Sequence, residues 1–280
     1  KGYFVHTCVL ESGMIQVGQT VTAAVNKGRR RAIARNHTSA HLLQQALRDV
    51  LGNHVHQAGS YEDDERVRFD FTHFSAMTPE EIALVEHIVN QKIFAAMDVT
   101  VRNLPLAEAK KRGAMALFGE KYGEIVRVVD IEGYSTEFCG GTHVKNTAQL
   151  GCFKILSESS VAAGVRRIEG TTGMGVLRLL DERTEMLHQV ADALKVNNVH
   201  DLPLRAVTIA GELKSTQREL EAAKAALAAN KIDGLFENAQ DVEGIKIMAA
   251  YFSGTGSDTL RSMCDKIRDK APNTVAALVG

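Results

Sequence analysis

Between Tyr3 and Val25 short apolar stretches are broken by Gly13 and Gly18 and alternate with polar residues at 14–17 and 20–23, a pattern that predicts a small β unit. The period then becomes helical. Leu43, Ala46, Leu47, Val50 and Leu51 form an apolar stripe, Asn36 stands where an N-cap would open the helix, and Gly52 supplies the stop. Val67, Phe69 and Phe71 next alternate with Arg68, Asp70 and Thr72, as a half-buried strand requires. Thr78-Pro79-Glu80-Glu81 reads as a capping box with proline at the first helical position, opening an amphipathic helix to about Met97. Strand patterns recur at 99–103, 125–131, 151–157 and 165–170, with a short helix near 106–112. Helices and strands without a regular βαβ rhythm indicate an α+β domain built in two layers.

Beyond residue 175 the spacing changes again. Leu177, Leu180, Thr184, Leu187, Ala191 and Leu194 follow one another by alternating steps of three and four, and Leu213, Leu220 and Leu227 stand seven apart on a second helix at 204–230. Two such helices predict an antiparallel hairpin. After Gly234 a strand at 245–251, a glycine-bearing turn at 253–257 and a helix at 258–270 suggest a truncated α/β module, with strand-like residues at 278–280 that have nothing after them to pair with. The expected organisation is therefore a partial β-barrel-like unit at 1–30, a central domain at 31–175, a helical hairpin at 176–232 and the start of a further module at 233–280. The first residue, Lys1, is not methionine, and the chain reads as a piece of something longer.

Charge narrows the partners without choosing one. Lys and Arg number 33 against 34 Asp and Glu, so contact with a nucleic acid must come from local patches and not from a globally cationic surface. The basic runs are Lys27-Gly28-Arg29-Arg30-Arg31, Lys110-Lys111-Arg112 and Arg166-Arg167. Cys8, Cys139, Cys152 and Cys264 show no paired spacing, which points to a reducing compartment, and no apolar run approaches the roughly 18 residues of a membrane span. The expected location is cytoplasmic.

Two segments carry chemistry. His37 and His41 stand four apart in a helical pattern, so their imidazoles project from one face a turn apart. Cys139-Gly140-Gly141-Thr142-His143 offers a thiolate and a third imidazole from a loop whose glycines let the backbone fold tightly. One cysteine and three histidines suit tetrahedral zinc. No glutamate lies between His37 and His41, which disfavours a metalloprotease of the His-Glu-x-x-His type.

The segments 36–43, 54–60, 68–71 and 137–144 resemble the editing domain of alanyl-tRNA synthetases, and the resemblance extends over essentially the whole chain. The signature is shared with free-standing alanyl-tRNA editing proteins and with the editing domain of bacterial threonyl-tRNA synthetases. The order after Cys139, through 164–170 into a helical hairpin and a glycine-containing module, is similar to the alanyl enzymes. Many relatives have threonine where this chain has Ala40, so no role of that hydroxyl carries over.

The resemblance implies hydrolysis of the ester in seryl-tRNA(Ala) and glycyl-tRNA(Ala), with His37, His41, Cys139 and His143 as catalytic and zinc-binding residues and Gln57 lining the pocket. It implies one Zn2+ per chain, while ATP and Mg2+ serve an aminoacylation core absent from these residues. Thr38, beside the first histidine, is a candidate to bond the serine hydroxyl. Arg29, Arg30, Arg31, Arg166 and Arg167 are candidates for tRNA phosphates. The C-terminal region is the expected site of a homodimer contact. Two other readings stand beside this one: a free-standing editing factor, and a zinc-stabilised tRNA-binding and dimerising module without catalysis.

Overall fold

The computed structural model describes residues 5–115 and 122–280 and divides the chain into two compact units, Lys1–Thr184 and Glu185–Gly280. In the first, helix α1 (Lys27–Leu51) and helix α2 (Pro79–Phe94) pack on each other and against a four-stranded antiparallel sheet. Its strands are β1 (Gln57–Glu62), β2 (Val67–Thr72), β6 (Phe153–Ala162) and β7 (Val165–Thr172), ordered β1-β2-β7-β6. A second antiparallel sheet, β3 (Val99–Pro105), β4 (Ile125–Ile131) and β5 (Ser135–Phe138), carries the short helix α3 (Leu106–Lys111). This is the expected α+β architecture.

The main core lies between the helix pair and the sheet. Leu42, Leu43 and Leu47 of α1, Val85, Val89 and Ile93 of α2, and Phe69, Phe71, Phe153 and Ile168 of the sheet are almost entirely removed from water. At roughly 1.5–3 kcal/mol for each fully buried large apolar side chain, this cluster holds α1 rigidly to the sheet. That matters because α1 carries His37 and His41. A smaller core of Ala109, Val126, Val128 and Phe138 seats α3 on the second sheet.

Several expectations change. Helix α1 begins at Lys27, capped by Asn26, whose side chain accepts from the Arg29 amide at 3.0 Å. Asn36 is not the cap. Its amide donates to the Asp63 carbonyl at 2.8 Å and its Oδ1 accepts from Thr172 at 2.6 Å, so tertiary partners satisfy the side chain and the helix runs through it. His37 and His41 therefore sit in mid-helix, where position is better fixed than in a fraying first turn. The expected strands before residue 25 do not form among the described residues, where segment 5–26 is extended or turning and exposed, with Val9, Val17 and Val21 open to solvent. Alternation alone does not make a strand when no neighbour takes up its hydrogen bonds. The capping box is present as read, with Thr78 accepting from the Glu81 amide and Glu81 accepting from the Thr78 amide.

Helix α4 (Met174–Ala193) spans the boundary between the units, and α5 (Leu202–Glu237) runs seven residues further than its periodicity indicated. The heptad residues Leu177, Leu180, Leu187, Leu213, Leu220 and Leu227 are about half exposed. The second unit adds β8 (Gln240–Val242), β9 (Ile245–Tyr251), α6 (Ser257–Lys270) and β10 (Thr274–Val279). The terminal strand does have a partner: β10 lies parallel to β9, with Thr274 opposite Lys246, and α6 makes the crossover that a parallel pair needs. Ile232, Met248, Phe252, Met263 and Ile267 form this unit's own core. Among the described residues no helix is long and apolar enough to cross a membrane.

Candidate functional site

Helix α1 and the loop leaving β5 bring His37, His41, Cys139 and His143 together, one ligand atom from each lying within 4.8 Å of the others. Cys139 Sγ is 3.4 Å from His37 Nε2 and 3.3 Å from His143 Nε2. Those spacings match the edge of about 3.5 Å expected between sulfur and nitrogen ligands on a tetrahedral zinc ion.

The loop reaches α1 closely because of one glycine. A Cβ on Gly141 would stand 1.9 Å from Cε1 and 2.2 Å from Nδ1 of His37, so any side chain there would displace the imidazole. The Gly141 amide also points at the sulfur, 3.4 Å away.

Hydrogen bonding behind the quartet fixes which nitrogens face inward. Thr38 is fully buried, and its hydroxyl donates to the Ala34 carbonyl at 2.8 Å while accepting the Val144 amide at 3.2 Å. With that proton committed, the 3.3 Å contact between Thr38 Oγ1 and His143 Nδ1 requires the imidazole to donate. His143 Nε2 then turns its lone pair toward Cys139, the tautomer a metal ligand needs. On the other side, Glu137 Oε2 stands 3.1 Å from Nδ1 of the buried His41, off the line of a hydrogen bond, so it acts chiefly through its charge. Glu137 is itself held by Ser135, whose hydroxyl donates to Oε1 at 2.6 Å. These are the outer supports expected of metal-ligating histidines.

The same contacts set the protonation states. Burial pushes the Cys139 thiol up, but the bonds that His37 and His41 give the sulfur, and the charge of His41, outweigh that and hold it far below the usual thiol range, the His143 nitrogen that faces it having no proton to give. Burial opposes charging of His41, yet the Glu137 carboxylate and the Cys139 sulfur raise it to about 10. Burial lowers His143 to about 4, helped by the neighbouring His41 and His37 and opposed by Cys139. Without a metal the site is therefore a thiolate paired with the His41 imidazolium. A divalent ion would replace the His41 proton and meet one thiolate and neutral imidazoles, a donor set that fits zinc.

In front of the quartet lies a cavity of about 480 Å³ lined by His37, His41, Cys139, Gln57, Glu62 and Gly141. Gln57 reaches it from the start of β1, where the pairing with β2 shifts register between Gln57 and Gly59. Such irregularities re-aim side chains at sites of this kind. Ser60, Glu62 and Arg127 line the same cavity and went unremarked in the sequence, as did the support from Glu137. A period-two reading of 135–139 would have put Ser135, Glu137 and Cys139 on one face.

Other candidates lie apart. Thr38 does not line the cavity, and its hydroxyl bonds the Ala34 carbonyl, the Val144 amide and His143, so the structure places it behind His143. Arg166 forks Glu158, and Arg167 forks Asp70 at 2.7 and 2.8 Å. Both guanidinium groups are thereby engaged with carboxylates on the sheet. Asp70 pairs with Arg167 because Arg167 stands directly opposite it in the β2–β7 register. Arg29 bonds Asp64 at 3.1 Å. Arg30 and Arg31 instead line a second cavity of about 360 Å³ on the far side of His143.

Residues 126–169, which include β5, the Cys139–His143 loop and all but the first residue of β4, match the domain described as the Threonyl and Alanyl tRNA synthetase second additional domain. The chain is 46% identical over 278 residues to an alanine–tRNA ligase of Bacillus subtilis, covering 99% of this chain and 32% of that protein. It is 47% identical over 277 residues to the corresponding enzyme of Acetivibrio thermocellus, with 99% and 31% covered, and 45% identical over 278 residues to that of Halalkalibacterium halodurans, with 99% and 32% covered. The chain thus spans about a third of the length of these relatives. Along nearly its whole length the chain is homologous to alanine–tRNA ligases, and within it residues 126–169 match the second additional domain of threonyl and alanyl synthetases.

Proposed function

We propose that the cavity in front of His37, His41, Cys139 and His143 hydrolyses the ester bond of mischarged tRNA(Ala), removing serine or glycine from its 3′ end. The observation that carries this reading is the cavity itself: a thiolate and two imidazoles face a space of about 480 Å³ whose rim supplies the Gln57 amide, the Ser60 hydroxyl and the Glu62 carboxylate. That is room for a terminal nucleoside with a small amino acid attached. The relatives' name, alanine–tRNA ligase, supplies the reason such a site is needed. A pocket for alanine rejects glycine, or an added hydroxyl, by only about 1–3 kcal/mol, so a second, hydrolytic selection restores fidelity.

In this reading Gln57 bonds polar groups of the aminoacyl end, and its position at the cavity wall supports that role. His37, His41, Cys139 and His143 would hold zinc through one thiolate and three imidazoles. Four protein ligands close a tetrahedral ion, so it would fix the Cys139–His143 loop against α1, and proton transfer falls to a group outside the quartet. Glu62 is placed for it: its carboxylate lines the cavity, with Oε2 3.9 Å from His37 Nε2 and Oε1 buried without a hydrogen-bond partner among the described residues, free to accept the proton that the attacking water gives up.

Release of serine, glycine and alanine from the corresponding charged tRNA(Ala) tests this directly. Seryl and glycyl esters are hydrolysed well above the spontaneous rate and the alanyl ester much more slowly. Equal spontaneous rates for all three would leave the fold as a tRNA-binding module and refute the hydrolase reading.

A further inference from the structure

The second cavity has a chemistry of its own. Its walls bring together Lys27, Arg30 and Arg31 from the first turns of α1 and Arg127 from β4, with Thr142 and His143 at the inner end, and no carboxylate is among its lining residues. Arg29, next in sequence, faces Asp64, whereas no ion pair to Lys27, Arg30, Arg31 or Arg127 occurs among the described residues. Arg127 lines this cavity and the one containing Cys139, and its guanidinium donates to the Cys139 carbonyl at 2.5 Å. The Cys139 amide in turn donates to the Arg127 carbonyl at 3.0 Å, so the arginine is tied to the loop from both ends. Four cations converging on a concave surface that no carboxylate lines form a site for a polyanion.

We propose that Lys27, Arg30, Arg31 and Arg127 seat the backbone phosphates of the last nucleotides of the RNA whose terminal ester enters the first cavity. The proposal rests on the hydrolase reading for the identity of that RNA. It adds which phosphates are held, by which cations, and that Arg166 and Arg167, each already forked to a carboxylate, are not among them. The two cavities meet at Arg127, which places the phosphate seat beside the ester site. A chain threading from one to the other would pass the Cys139–His143 loop, and binding its phosphates fixes where its end lies.

The test is binding of a short single-stranded RNA with the tRNA 3′-terminal sequence, followed by fluorescence anisotropy over a salt series. A second set of RNAs carries a neutral methylphosphonate at each of the last three linkages in turn. In the unaltered protein, neutralising at least one of these linkages weakens binding several-fold. The Arg30→Gln, Arg31→Gln double variant binds the native RNA about tenfold more weakly or worse, with a log–log salt slope shallower by about 0.7 for each phosphate that no longer meets a cation. Neutralising the same linkage then costs that variant nothing further. Both arginines are exposed, and an Arg30→Lys, Arg31→Lys variant, which keeps the charges, retains most of the affinity and reports on the fold. Native affinity in the glutamine variant, or an equal penalty from each methylphosphonate in variant and parent, overturns the proposal, as does indifference of the unaltered protein to all three linkages. Failure of the hydrolase reading appears separately, as absence of serine release by the unaltered protein.

Discussion

Thr38 Oγ1 stands 3.3 Å from His143 Nδ1 across more than a hundred residues of sequence, and because its own proton is committed to the Ala34 carbonyl it accepts from the imidazole. A residue with no access to the cavity thereby chooses the tautomer of a residue in the quartet. Replacing Thr38 by valine keeps the shape and deletes the acceptor, leaving the His143 and Val144 N–H groups buried without a partner. The expected cost is about 1–3 kcal/mol of stability, with zinc affinity reduced about 10–100-fold. Thermal unfolding and zinc competition against a chromogenic chelator measure both, and unchanged zinc affinity would remove Thr38 from the site's support.

Gly141 is a steric requirement of the quartet. In Gly141→Ala the methyl group lands where the His37 ring now lies, so either His37 or the loop must move. Zinc stoichiometry or affinity should fall sharply while unfolding shifts by about 1–3 kcal/mol, the usual cost of overpacking. Full zinc loading with unaltered affinity would show that His37 is not a ligand.

The paired thiolate and imidazolium give the metal-free protein a distinctive pH response. Cys139 is depressed far below 9.0, so its contribution to stability is complete above pH 9 and is lost in acid as pH falls through its lowered value. His41 is raised from 6.5 to about 10, so its contribution is complete below pH 6.5 and is lost as pH rises through 10. Together they cancel in slope between about 6.5 and 9, and below 6.5 the loss from Cys139 is unopposed. His143, lowered to about 4, adds to the acid-side loss. In chelator-treated protein, iodoacetamide should label Cys139 at a rate nearly flat from pH 5 to 8, followed by mass spectrometry of its peptide. A rate rising about tenfold per pH unit, as for an ordinary thiol, would contradict the ion pair.

The capping box of α2 gives a prediction independent of the site. Thr78→Ala removes the acceptor for the Glu81 amide and should cost about 0.5–2 kcal/mol without changing zinc affinity. Equilibrium urea unfolding with a chelator titration checks both halves.

Local signals in the sequence found the elements whose chemistry is local. The Thr78–Glu81 box and the alternation of 125–131 are complete within a few residues, and the structure has them there. The convergence of His37, His41, Cys139 and His143 was legible too, because helical spacing and a glycine loop constrain where those side chains reach. What distant partners decide was not legible. Asn36 has the sequence character of a cap but is claimed by Asp63 and Thr172, and Asp70 chooses Arg167 through strand register. The short strands β1 and β5 lack a strong apolar alternation, so Glu62 and Glu137, which they deliver to the quartet, were hidden. Alternation before residue 25 misled in the other direction, since a strand exists only where another one pairs with it.

The central claim is that the cavity before Cys139 is where an aminoacyl ester is hydrolysed. The most direct measurement is the rate of serine release from seryl-tRNA(Ala) by the protein and by its Cys139→Ala variant, with circular dichroism and tRNA binding measured on both. The account predicts release by the parent, a loss of at least a hundredfold in the variant, and retained fold and tRNA affinity. Serine release by a folded Cys139→Ala variant at the parent's rate would contradict it.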